Sequence, residues 1–461
     1  MKKIAYLLIA VSVFAVLGAC SDDHDNPSVS DETVQRNEWI QSNMSADYLW
    51  NDELPTNLNE KTEPDSKNYF YQLLSAEDHW SSITDDYTSL LAELDGTPMT
   101  MGYDPSFYQF YNSDEVYMVV NYVYPNSPAD EGGLKRGDII LTIDGEAMDT
   151  TNYYSLYTGD SYTVGLGELS GNTISDSGKA ISLTNAVVNA DPAIYSTVID
   201  KGTHKIGYLA YVEFVTGTND QFLSTLDNIF AGFRSQGITD LVVDLRYNPG
   251  GDIDAATYLA SEIAPAANVS AEDVLVNMSY NDDLQSYFEG NTLTYGDELS
   301  FHFTKDVTGN NDLKSVYFLT TGGTASASEL LMTGLDPYMT ETRIGESTYG
   351  KYVGAWVLPD QNDENWAMMP IVMKYSNING FTDFVNGLEP DDAMTDDVIN
   401  AAPLGDLSDP MLAEAVNLIT GESRQVRTRK IDLQIHSRKI FPRGQDIHRN
   451  LFLNSPVSVN Y

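Results

Sequence analysis

Four neighbouring stretches decide the fold: KIGYLAYVEF (205–214), NDQFLSTLDNIFAGFRSQG (219–237), DLVVDLRYNPGG (240–251) and DAATYLASEIA (254–264). The first and third are apolar runs of strand length. The second repeats apolar residues at three- and four-residue spacing and stops at Gly237, as a helix does. Strand, helix, strand, glycine turn and helix describe a βαβ unit. Its strands are apolar throughout rather than alternating, which places them in a sheet covered on both faces. The same alternation runs from about His204 to Asp392, and PLGDLSDPMLAEAVNLITG supplies a last helix ending at Gly421. The fold class is α/β.

Towards the N-terminus the character changes twice. From about 98 to 192 short β-like runs are separated by glycine and asparagine. VYMVVNYVYPNSPADEGGLKRGDIILTIDGEAM (116–148) reads as a strand, a Pro-Asn-Ser-Pro turn, a short helix ended by Gly132-Gly133, a tight turn at Gly137 and a strand to Asp144-Gly145. This resembles a PDZ domain. Its carboxylate-receiving loop is not matched, since YDPSFYQFYNSDE (103–115) lacks a glycine, so a scaffolding or gating role stands beside peptide capture. From 36 to 97 Trp39, Ile40, Met44, Tyr48, Tyr69, Phe70 and Leu73 recur at helical spacing, which predicts a small helical domain whose first helix closes by Pro55.

The chain has 461 residues, 42% of them hydrophobic, and a formal charge of -43. Nucleic-acid binding is excluded as an expectation, because phosphate neutralisation needs a surplus of lysine and arginine. Residues 1–19 have export architecture: two lysines, an apolar run from Ile4 to Leu17, then small residues. Leu17, Gly18, Ala19 and Cys20 resemble a bacterial lipobox, in which the cysteine becomes the lipid-bearing N-terminus. Cys20 is the sole cysteine, so an internal disulfide is impossible. Residues 20–35 form an acidic tether. The expectation is an exported lipoprotein of the outer membrane, periplasm-facing or at the cell surface. Residues 422–461 differ again, with eight Lys/Arg against three Asp/Glu, and are expected to be dispensable for the fold.

No histidine pairs with glutamate at zinc-ligand spacing, and the acidic pairs Asp391/Asp392 and Asp396/Asp397 lack a calcium-loop pattern and read as solvated surface. No metal or cofactor is expected. In SVYFLTTGGTASASELLMTGL (315–335) an apolar strand runs into a serine-rich turn that opens a helix. SASE (326–329) is a capping box, so Ser326 has a purely structural reading. A serine on such a turn can also be a nucleophile, exposed beside backbone N–H groups able to hold an oxyanion. It needs a base, and with no histidine near in sequence, Lys351 is the candidate. A solvated lysine is neutral at pH 7 in roughly one molecule in 2,500, a penalty of about 4.6 kcal/mol, so burial must lower its pKa. A lysine snorkelling from a strand edge is the alternative.

TASASE, with STYGK placing Lys351 25 positions after Ser326, LVVDLRYNPGG upstream, a PDZ-like domain and a helical N-terminal domain together resemble the carboxyl-terminal processing (tail-specific) proteases, serine peptidase family S41. The resemblance covers roughly residues 31–421. It implies a crotonase-like core over 193–421 with the PDZ-like domain inserted, Ser326 as nucleophile ahead of the competing Ser328, Lys351 as general base, and an oxyanion hole from the backbone N–H groups of Ala327 and of Gly250 or Gly251. Many members place an orienting glutamine four positions after the lysine, where this chain has Ala355. The implied function is a serine endopeptidase cleaving exported polypeptides, near C-termini, through an acyl-enzyme, held at a membrane by its lipid. The rival is a weak or inactive peptide-binding lipoprotein. Oligomeric state is not legible.

Overall fold

The computed structural model describes residues 29–171, 173–304, 313–422, 437–440 and 451–453. At its centre a six-stranded sheet runs in the order 193–200, 205–211, 240–244, 315–320, 340–345, 392–393. All neighbours after the first pair are parallel. Parallel neighbours need crossovers, and helices Gln221–Gln236, Ile253–Ile263 and Ala327–Leu335 supply them. Phe230, Phe233, Leu259, Leu330 and Leu331 cover one face of the sheet. Helix Pro410–Thr420 covers the other, setting Met411, Leu412, Ala415 and Val416 on Ile206, Tyr208, Val242 and Leu319. Burial on both faces is the reason the central strands carry unbroken apolar runs, 206–211, 241–243 and 316–319, while the outer strands 193–200 and 340–345 mix in polar residues. A second, five-stranded sheet (300–302, 274–279, 371–377, 353–356, 451–453) closes the core over Ile253–Ile263 and Ala327–Leu335. This is the α/β core expected from the sequence.

The PDZ-like unit has its own apolar cluster around Phe107, Met118, Val120, Ile140, Val164 and Leu183. Its short helix Pro128–Gly132 is capped by Ser127 and ended by Gly133 at φ 85°, a left-handed conformation that glycine adopts without strain.

Three features differ from the sequence reading. The first helix spans Asp31–Asp47 and ends before Asn51–Glu53, a separate short 3-10 turn, so Pro55 is not what stops it. The N-terminal helices do not keep a separate core: Ile40, Met44, Tyr48, Tyr69 and Phe70 join the cluster of the central sheet, and Asn281 Nδ2 donates to the Ala46 and Tyr48 carbonyls. Two short pieces of the basic tail join sheets, Ser437–Ile440 against Tyr103–Phe110 and Leu451–Leu453 against Val353–Trp356. The export segment and Cys20 lie outside the described residues. No described helix is long and apolar enough to cross a membrane.

Candidate active site

Strand Ser315–Thr320 delivers the chain into a turn whose Thr324 donates its hydroxyl to the Leu245 carbonyl at 2.7 Å, while the Ala325 N–H donates to the Asn248 carbonyl at 3.1 Å. The turn is thereby pinned to the glycine loop that follows strand Asp240–Asp244. Ser326 sits at its apex with φ 61° and ψ -112°, directly before helix Ala327–Leu335. A β-carbon at positive φ is strained, and such strain persists only where the surroundings over-determine it. Ser326 is fully buried, and among the described residues its Oγ has no hydrogen-bond partner.

The capping-box arrangement of Ser326 and Glu329 is present, and its hydrogen-bonded half is the Ser326 N–H donated to Glu329 Oε2 at 2.7 Å. The Lys351 N–H donates to the same oxygen at 2.9 Å. Oε1 accepts from the Gly350 N–H at 2.7 Å and from the Thr348 hydroxyl at 2.5 Å. Because Thr348 Oγ1 itself accepts from the Leu388 N–H, its proton is the one given to Glu329. Burial pushes the Glu329 carboxyl up to about 7, and the four donors pull the other way. On a second side the Tyr375 hydroxyl lies between the carbonyls of Ser326 and Lys351, at 3.3 and 3.2 Å. Serine and lysine, 25 positions apart, are thus held by the same two side chains. Lys351 is fully buried.

Ser328 is also buried, but its hydroxyl donates to the Asn248 carbonyl at 3.2 Å. Gly250 and Gly251 have φ 110° and 135°. A β-carbon on Gly250 would stand 2.6 Å from Ser326 Cβ and 3.0 Å from the Ala327 nitrogen, so a glycine is needed for this approach. The Gly250 N–H is donated to Asn248 Oδ1 at 2.9 Å, whereas among the described residues no such bond occupies the Gly251 N–H. Ala355, on strand Val353–Trp356, is fully buried among Trp80, Leu90, Val353 and Ile371, in an apolar environment.

The glycine loop is anchored by an ion cluster that sequence reasoning missed. The Arg246 guanidinium donates to both Asp244 oxygens at 2.9 and 2.6 Å and to Asp396 at 2.9 Å, and pairs with Asp409 at 2.8 Å. The Asp396 side chain is only 9% exposed here and also accepts from the Tyr247 hydroxyl, which corrects its reading as solvated surface. Burial pushes the Asp244 carboxyl up, but Arg246 more than offsets this and leaves it below the usual range. From the PDZ-like unit Arg136 reaches in, donating to the Tyr247 hydroxyl and the Asn121 carbonyl, both at 2.7 Å. Glu329 was visible in sequence only as a capping partner. His204 and His302 lie away from this site, on Asp240 and the Glu272 carbonyl. Among the described residues no group of acidic or histidine side chains could hold a metal ion.

The family model for peptidase family S41 matches residues 205–394, that for the peptidase S41 N-terminal domain matches 35–82, and that for a PDZ domain matches 119–157. A carboxyl-terminal-processing protease of Picosynechococcus sp. is 25% identical over 314 residues, covering 64% of this chain and 65% of that protein. The carboxy-terminal processing protease CtpB of Bacillus subtilis is 25% identical over 301 residues, covering 64% and 56%. The chain therefore spans less than two thirds of the length of these relatives. A putative S41 protease from Bacteroides fragilis superposes with a TM-score of 0.70 at 24% identity, covering 84% of this chain and 97% of that one. The photosystem II D1 C-terminal processing protease superposes with a TM-score of 0.50 at 19% identity, covering 82% and 96%.

Proposed function

Since the chain belongs to peptidase family S41, we propose that it is a serine endopeptidase acting on polypeptides through a Ser326–Lys351 dyad. Neutral Lys351 takes the hydroxyl proton as Ser326 Oγ bonds to the substrate carbonyl carbon. The negative charge that develops on the carbonyl oxygen is held by the N–H groups of Ala327 and Gly251. Gly250 would serve instead only by exchanging its bond to Asn248. Collapse of the tetrahedral species passes the lysine proton to the departing amine and leaves an acyl-enzyme, which water then hydrolyses. The observation that carries this reading is the shared acceptor: both N–H groups, of Ser326 and Lys351, rest on one buried carboxylate oxygen. The unbonded Ser326 Oγ, set against the engaged Ser328 hydroxyl, favours Ser326 as nucleophile.

Labelling by a fluorophosphonate probe tests it. Wild type should label, and folded Ser326→Ala and Lys351→Met should not; equal labelling of Ser326→Ala would overturn it. The rival reading, a peptide-binding protein of weak or no turnover, is favoured by Ala355, which stands where many members carry an orienting glutamine and packs in an apolar cluster. It predicts binding of unfolded polypeptide without cleavage.

For location, the sequence around Cys20 supports an exported, lipid-anchored protein, two or more acyl chains being enough for stable attachment. Cys20→Ala should move it to the soluble fraction, and persistent membrane association of that variant would remove the anchor from the account.

A further inference from the structure

Strand Tyr103–Phe110 pairs on one side with Val116–Val123 inside the PDZ-like sheet. Its other side would be an open edge, with a row of unpaired N–H and C=O groups. In this structure that edge is covered by the chain's own basic tail. Ser437, Arg438, Lys439 and Ile440 run antiparallel to it, opposite Phe110, Gln109, Tyr108 and Phe107. Side chains reinforce the ladder: Ile440 packs on the PDZ-like core, Ser437 and Tyr117 share a hydrogen bond at 2.8 Å, and Arg438 donates to Gln109 Oε1 at 3.1 and 2.8 Å. Strand addition of this kind is how PDZ domains take extended peptides, with affinity carried by the main chain.

Charge acts in the same direction. Residues 422–461 carry a net +5 while the rest of the chain carries -48. Lys439, opposite Tyr108, acts on the Asp104 carboxyl, which burial pushes up to about 6 while the Asn121 amide and this ammonium pull it down. The second piece of tail, Leu451–Leu453, lies parallel along Val353–Trp356, with Leu451 opposite Gly354, three residues beyond Lys351. The tail therefore touches both the PDZ-like edge and the strand that leaves the lysine.

We propose that the outer edge of Tyr103–Phe110 is a peptide-docking edge held in cis by Ser437–Ile440, so that the basic tail is an intramolecular competitor of any polypeptide docking there in trans. Its consequence for cleavage rests on the serine-peptidase reading; the docking itself does not. A tethered strand competes at an effective concentration of about millimolar, so releasing one of modest affinity should raise trans binding on the order of tenfold.

The test uses the full chain carrying Ser326→Ala, so that turnover plays no part, and a fluorescein-labelled synthetic peptide of residues 434–442. Anisotropy titrations compare this protein with versions that also carry Arg438→Pro and Lys439→Pro, which together remove the one ladder N–H of this pair and stiffen the strand, or Arg438→Glu and Lys439→Glu, which keep the backbone and reverse the charge. Circular dichroism checks folding. About tenfold tighter binding in either folded variant is expected, together with faster hydrogen exchange at Phe107–Gln109 that the added peptide slows again. Unchanged affinity and unchanged exchange in the glutamate variant would overturn the proposal. With Ser326 restored, absence of cleavage in all versions would count against the dyad and leave the binding result standing.

Discussion

The main-chain N–H groups of Ser326 and Lys351 donate to one oxygen, Glu329 Oε2, at 2.7 and 2.9 Å. A carboxylate that gathers four donors in a dry site is a positioning residue for both ends of the proposed dyad. Glu329→Gln puts an amide, itself a donor, where only donors point. Each buried donor left unpaired costs about 1–3 kcal/mol, so a loss of roughly 2–5 kcal/mol in urea denaturation is expected. Glu329→Asp keeps the charge but shortens the reach. It should lower kcat by roughly 100-fold or more, as displacements near 1 Å do, with KM little changed. A kcat close to wild type in a folded Glu329→Asp would show that the bridge has no bearing on the chemistry.

The strain at Ser326 gives a second prediction, one that separates a capping serine from a nucleophile. A capping hydroxyl would make Ser326→Ala cost about 0.5–2 kcal/mol. With no hydrogen bond to its Oγ among the described residues, the change should instead stay within about 0.5 kcal/mol. Ser326→Gly relieves the φ of 61° and should gain on the order of 1 kcal/mol while abolishing cleavage. Denaturant midpoints of the three proteins decide between the two readings.

How far the sequence carries depends on whether the physics is local. The βαβ unit was legible because apolar runs, helical spacing and the stop at Gly237 are short-range signals, and the Pro-Asn-Ser-Pro turn with its short helix ended by Gly132-Gly133 was legible for the same reason. Glu329 was half legible: its bond to Ser326 spans three residues, but its bond to Lys351 spans 22 and has no periodicity to announce it. Asp396 looked like solvent-facing charge because its partners, Arg246 and Arg136, stand 150 or more positions away. The tail strands escaped too, because register with an edge strand is set by the partner's open side, which no window of sequence contains.

Stability should fall as pH rises from about 4.5 to 8. Burial lifts the carboxyls of Asp47 and Asp104 to about 6, Glu298 and Glu329 to about 7 and Glu341 to about 8. Between their ordinary values and these, the folded chain holds protons that the unfolded chain has released. The stabilisation is therefore complete below the ordinary values and lost as pH rises through the raised ones. Each group contributes a slope of up to about 1.4 kcal/mol per pH unit within its window. Thermal unfolding at fixed ionic strength should give a lower Tm at pH 8 than at pH 5, and Glu341→Gln should flatten the slope by one proton's worth. A Tm that climbs over that range would contradict these assignments.

The last prediction concerns Lys351. If its amine takes the Ser326 proton, it must act neutral, and the side chain is fully buried. Lys351→Arg keeps a cation that cannot give up its proton at working pH, so cleavage should vanish, by about 10³-fold or more if the general base is the sole route. Lys351→Met keeps most of the volume without the nitrogen and should vanish equally, while remaining folded. Burying guanidinium in place of an amine is costly, so the arginine variant should also be the less stable of the two. A merely structural lysine orders the outcomes differently: methionine, which fits, would cleave normally, and arginine would fail only in proportion to its misfolding. Peptide cleavage and circular dichroism on both variants distinguish these patterns, and full activity in a folded Lys351→Met would end the case for the dyad.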